Sequence, residues 1–164
     1  MERRQFLTLT AGITGAIALG QCSNAVDGPP SRSILTSTGG QLRLDLVAAP
    51  HTVQIGGRSA QLLAYNGQVP GPTLEVQAGD AVHIRFTNGL DAPTNLHFHG
   101  LHIPPTGEAD NPFRHVAPGE TVDYRFTLPA DHPGGLFWYH PHHHGRVAAQ
   151  VFGGLTGALI VRGA

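Results

Sequence analysis

The sequence predicts an all-β chain, a Greek-key antiparallel β-sandwich, from three observations. Many short stretches alternate polar and apolar residues, turn signals separate them at close spacing, and no segment carries a convincing helical period. The first strand is expected over Gln41–Val47, where Leu42, Leu44 and Leu46 fall on one face of a pleated chain. Further strands are expected at 61–65, 73–77, 81–87, 95–99, 120–128, 136–140 and 157–162. Between them stand Asn66-Gly67, Pro70-Gly71-Pro72, Ala78-Gly79-Asp80, Asn88-Gly89, Ala117-Pro118-Gly119 and Pro133-Gly134-Gly135, which supply the backbone conformations that turns require. There is no internal repeat of this unit.

Upstream of the strands the chain has a different character. Arg3 and Arg4 precede a mostly apolar run from Phe6 to Leu19, which marks residues 1–22 as an export signal. Such a run is short for a membrane span, which needs about 20 residues. Arg3-Arg4-Gln5-Phe6-Leu7 resembles a twin-arginine signal, a route used by proteins that fold or load a cofactor before export. A periplasmic or other extracytoplasmic location is expected. Cys22, the only cysteine, is either a lipid-attachment point or is removed with the signal; Gln21 is a poor residue immediately before a lipidated cysteine. Downstream of Cys22 there is therefore neither a disulfide nor a thiolate ligand. Residues 23–40, rich in Ser, Gly and Pro, read as a flexible linker, which leaves 41–164 as one domain.

Composition narrows the function. Ten Lys+Arg stand against 11 Asp+Glu with no long basic run, which argues against nucleic acid as a partner. Eleven histidines are far more than a core or surface of this size calls for, and the excess points to metal. The pattern within that excess is specific: His97-Phe98-His99 and His140-Pro141-His142 are two HxH pairs. In an extended strand residues i and i+2 share a face, so each pair is a two-pronged clamp. If the two strands lie side by side, four imidazoles converge, and imidazole suits copper, zinc, iron or nickel. Three histidines with a water would make a catalytic zinc and four could close one, so zinc stays open at this point.

The remaining candidates read as supporting residues. His102 would leave the face of the first clamp if its strand continued, which suits a loop or supporting role. His143 and His144 extend the second histidine run, and a surface or supporting role is expected for His144. His51, His83, His115 and His132 have no partner spacing and are expected to be solvated or structural. Trp138 and Tyr139 are expected in the core, Glu75 on a strand face and Asp80 in a turn.

Four segments together carry a resemblance. They are Tyr65 to Leu74 (YNGQVPGPTL), Asn95 to His102 (NLHFHGLH), Trp138 to His142 (WYHPH) and Gly154 to Val161 (GLTGALIV). Over nearly all of residues 41–163 the chain resembles the amino-terminal cupredoxin domain of multicopper oxidases, laccase-like enzymes that pass electrons from a type 1 copper to a trinuclear cluster reducing O2 to water. The resemblance implies a cupredoxin-like fold and copper. It implies His97 as a type 2 copper ligand, and His99, His140 and His142 as type 3 ligands, with His99 and His140 on one type 3 copper and His142 on the other. Asp110 stands near the position of an acidic residue that helps deliver protons during O2 reduction.

The resemblance also says what is not here. A type 1 site needs a Cys thiolate and two His, usually with a weak axial Met, and the only Cys and Met are Cys22 and Met1. The expected partner is a second cupredoxin domain or chain carrying HxxHxH and HCH motifs, together with O2 and an electron donor of unknown identity. On this reading the chain is incomplete alone. The competing expectation is a stand-alone copper-binding or copper-storage module without turnover, in which a homo-oligomer could bring clamps together.

Overall fold

The computed structural model describes residues 33–163, so the expected export signal, Cys22 and most of the expected linker lie outside the described residues. Among the described residues nine strands form two stacked sheets. Their ranges are β1 Ile34–Thr36, β2 Gln41–Ile55, β3 Arg58–Tyr65, β4 Thr73–Gln77, β5 Ala81–Asn88, β6 His97–His99, β7 Thr121–Thr127, β8 Gly135–His140 and β9 Gly157–Arg162. One sheet has the order β1-β4-β9-β8-β6 and the other β3-β2-β5-β7. The connections repeatedly cross from one sheet to the other, which is what a Greek-key sandwich requires.

The sandwich is as expected, but its sheets are mixed rather than antiparallel. β1 with β4, β2 with β5 and β4 with β9 run parallel. These pairings join strands from different crossovers, and a strand's own residue pattern does not state which neighbour it will meet or in which direction. The linker expectation also needs correction at its carboxy-terminal end. Ile34, Leu35 and Thr36 pair in register with Thr73, Leu74 and Glu75, so the ordered unit begins before Gln41.

Alternation builds the core. Leu42, Leu46 and Ala48 of β2, Val82, Ile84 and Phe86 of β5, and Tyr124 and Phe126 of β7 turn inward from one sheet. Leu74, Val76, Phe98, Tyr139, Leu159 and Val161 meet them from the other. β2 runs well beyond the expected strand because it serves two neighbours in succession. Its first half pairs with β5 as far as Ala48, and its second half pairs with β3 as far as Ile55. Pro50 lies in the second half, past the end of the β5 ladder, where a missing N–H breaks no bond to β5. Gly56 and Gly57, both with positive φ, turn the chain into β3.

Among the described residues one short helix, α1 (Val147–Phe152), interrupts the otherwise all-β order. Six residues are too few to display a helical period in sequence. Its one buried side chain, Gln150, accepts from the Thr94 hydroxyl at 2.9 Å and donates to the Pro93 carbonyl at 2.9 Å. These bonds tie the segment after the second histidine pair to the segment before the first.

Candidate metal centre

β6 and β8 lie side by side and antiparallel, with His97 directly opposite His140 and His99 opposite Trp138. Phe98 and Tyr139, also opposite each other, point into the core at 1% and 0% exposure. By strand alternation His97, His99, Trp138 and His140 must then share the outer face. The register thus puts the two strands side by side, the condition that the sequence left open.

One nitrogen from each of His97, His99 and His140 forms a group whose members all lie within 4.8 Å of one another. His142, just past the end of β8, stands beside this group without joining it. Its ring centroid is 5.0 Å from that of His97 and 6.2 Å from that of His140. Its backbone N–H donates to Asn95 Oδ1 at 2.6 Å, which fixes where the second clamp ends.

The rings are held by partners that sequence could not name. His97 Nδ1 donates to Asp110 Oδ1 at 2.8 Å, so its lone pair must sit on Nε2. The same carboxylate oxygen accepts the Phe98 N–H at 2.9 Å, and Asp110 is buried. His140 Nδ1 donates to the Pro141 carbonyl at 2.9 Å, which likewise leaves a lone pair on Nε2. That Nε2 is buried and has no hydrogen-bond partner. Burial holds the His140 pKa below the ordinary imidazole value; the Pro141 carbonyl opposes this, and repulsion from His97, His99 and His142 adds to it. A neutral buried imidazole with an unshared lone pair aimed among other histidines is an arrangement that a metal ion satisfies.

Trp138, expected in the core, is instead 37% exposed on this face. Its ring stacks on His140 at 3.9 Å and on His99 at 5.4 Å. The period-two rule did carry that signal, since Trp138 and His140 share parity; only the habit of placing Trp inside argued otherwise. Tyr139 is in the core as expected, donating its hydroxyl to the Pro72 carbonyl at 2.7 Å.

The other histidines lie apart from the triad. His83 on β5 bonds Asp123 of β7 at 2.8 Å in the opposite sheet. His132 is buried, and its Nε2 accepts the backbone N–H of His102 at 3.1 Å, a structural role for His132. His115 and His143, which sequence did not connect, meet in space with His115 Nδ1 3.1 Å from His143 Nε2.

Comparison with known proteins joins this geometry to a family. Residues 47–164 match the family described as multicopper oxidase. The chain belongs to that family. It corresponds to the amino-terminal cupredoxin domain, and the two-sheet sandwich matches solved members. It is 34% identical over 160 residues to copper resistance protein A of Pseudomonas syringae pv. tomato, which covers 94% of this chain and 25% of that protein. It is 38% identical over 105 residues to multicopper oxidase mco of Staphylococcus aureus, covering 64% of this chain and 23% of the relative. Among solved structures, a multicopper oxidase from Campylobacter jejuni described as a metallo-oxidase superposes with a TM-score of 0.71 at 33% identity, over 82% of this chain and 30% of that one. The 164 residues therefore span about a quarter of the curated relatives they match. In a multicopper oxidase domain, a histidine triad of this spacing is consistent with copper.

Proposed function

We propose that this domain supplies one half of a trinuclear copper cluster that reduces O2 to water at the expense of a reducing substrate. The observation that carries the reading is the His97, His99 and His140 donor group with its buried, unpartnered His140 Nε2. His97 would hold the type 2 copper, His99 and His140 one type 3 copper, and His142 the other. When bound, the cluster would pass to O2 the electrons drawn from the reducing substrate. The protein's own part is to present neutral imidazoles in fixed orientation, through Asp110 for His97 and the Pro141 carbonyl for His140. Asp110 spends Oδ1 on two donors and keeps Oδ2 without a hydrogen bond among the described residues, so Oδ2 is the atom at which it would hold and pass a proton.

The remaining cluster ligands and the type 1 copper would come from a second cupredoxin domain, in the same polypeptide or another, bearing HxxHxH and HCH. The face that carries the triad suits such a neighbour, since Leu136 at 77% exposure and Trp138 at 37% leave apolar surface beside the histidines. Arg3-Arg4-Gln5-Phe6-Leu7 and the apolar run behind it support export to an extracytoplasmic compartment, with Cys22 as a lipid anchor if it is retained.

Copper per chain, measured together with O2 uptake on a phenolic donor, tests this reading. Bound copper that falls in a His97→Ala/His99→Ala variant, with O2 uptake only after the second domain is added, is the expected result. A chain that binds no copper overturns the assignment. Oxidase turnover by these 164 residues alone overturns the half-cluster reading, and copper binding without turnover even in the presence of the second domain would favour the storage module.

A further inference from the structure

We infer that His115 and His143 form a second metal site, a two-imidazole clamp separate from the triad that takes a first-row divalent ion, with Cu(II) the preferred occupant. His115 is exposed and His143 half-buried, and their facing nitrogens are 3.1 Å apart. An ion bound to two imidazoles at about 2.0–2.1 Å sets its donor nitrogens about 2.9 Å apart at a right angle and about 3.3 Å apart at the tetrahedral angle. The observed spacing falls between the two.

The tautomers are compatible with binding. His143 Nδ1 faces the His144 carbonyl at 3.2 Å, and a carbonyl can only accept. The proton of neutral His143 therefore lies on Nδ1, and its Nε2 presents a lone pair to His115. In the metal-free chain His115 Nδ1 must be the donor of that pair. An ion entering between the rings takes the place of this proton, which moves to His115 Nε2.

The backbone beneath the pair is fixed, which is what separates a clamp from two mobile surface rings. Asn95, fully buried, ties both segments with one side chain. Its amide donates to the carbonyl of Arg114, immediately before His115, at 3.1 Å, and its Oδ1 accepts the N–H of His142, immediately before His143, at 2.6 Å. On the far side of His115, Val116 exchanges both backbone hydrogen bonds with Thr94, at 3.0 and 3.1 Å. On the far side of His143, Arg146 N–H closes a turn onto the His143 carbonyl at 3.0 Å. Among divalent first-row ions, nitrogen sites of this kind bind Cu(II) most tightly, and two cis imidazoles fit its tetragonal geometry.

The site is tested by titrating the full chain with cupric sulfate and counting bound copper, with electron paramagnetic resonance to detect nitrogen ligation. His115→Ala and His143→Ala should each lose one copper equivalent relative to the parent. The double variant should lose that same single equivalent, because the two rings share one ion. His144→Ala should lose none. In His97→Ala/His99→Ala the triad's copper should fall while this equivalent remains, so failure of the triad reading and failure of this one give different patterns. A full copper count in either His115→Ala or His143→Ala overturns the proposal, and so does a double variant that loses two equivalents.

Discussion

Asp110 holds His97 through a 2.8 Å bond from the ring Nδ1, and the same oxygen accepts the backbone N–H of Phe98. One buried carboxylate thus sets both the ring's orientation and the position of the strand that carries it. Removing such a support from a metal-binding histidine lowers metal affinity about 10–100-fold. Asp110→Ala should show a loss of that size in a copper competition titration, with the histidines untouched. Unchanged affinity would mean that packing alone holds the ring.

Gly157 pairs with Tyr139 across β9 and β8, and a Cβ on Gly157 would overlap the tyrosine ring. The ring cannot easily yield, because its hydroxyl is committed to Pro72 and its face packs on Tyr65 at 5.3 Å. Gly157→Ala should destabilise the domain by about 1–3 kcal/mol, the usual cost of overpacking a core. Chemical denaturation with copper absent would measure it. Because Tyr139 immediately precedes His140, the triad should loosen in the same variant.

His140 gives the metal-free domain a pH dependence of definite sign. Its pKa is lowered in the folded state from 6.5, first by burial. Below about 6.5 the unfolded chain takes up a proton that the folded ring resists, so the stability linked to this residue declines as pH falls from there toward the lowered folded value. At higher pH the ring is neutral in both states and contributes no slope. The melting temperature of the metal-free chain should therefore drop between neutral and mildly acidic pH, and His140→Leu should flatten that drop. An equal slope in the variant would assign the effect to other histidines.

Asn95 donates to the Pro112 and Arg114 carbonyls and accepts from His142 N–H, all with one buried side chain. Asn95→Ala strands these groups, and a buried polar group left unpaired costs about 1–3 kcal/mol. A shifted urea midpoint at unchanged slope would register the loss. A variant as stable as the parent would show that water replaces the amide at no cost.

The clamps were legible because an HxH pair in an extended chain needs only strand alternation to share a face. Their meeting was not, since the register of His97 opposite His140 depends on which strands become neighbours. Sequence likewise contains no sign that Asp110 turns back to His97 or that Asn95 spans two loops, because both contacts are made by irregular segments. β1 and α1 escaped notice as elements of three and six residues, shorter than the patterns that would reveal them. The continuation of β2 past Pro50 was hidden by a residue that ordinarily ends a strand and here lies past the end of one ladder. Trp138 follows its parity with His140 and not the usual burial of its residue type.

β6 is a three-residue edge strand that hangs on its sheet by a single ladder to β8. In the chain the two strands are separated by a long excursion through the opposite sheet. An ion bound jointly by His99 and His140 would close that excursion as a cross-link does, narrowing the freedom of the unfolded chain. After Cys22 the sequence offers no thiol for such a tie. Metal supply would then govern the mechanical integrity of this margin: starved of copper, the edge would fray and exchange its amides quickly, and loaded, it would be riveted shut.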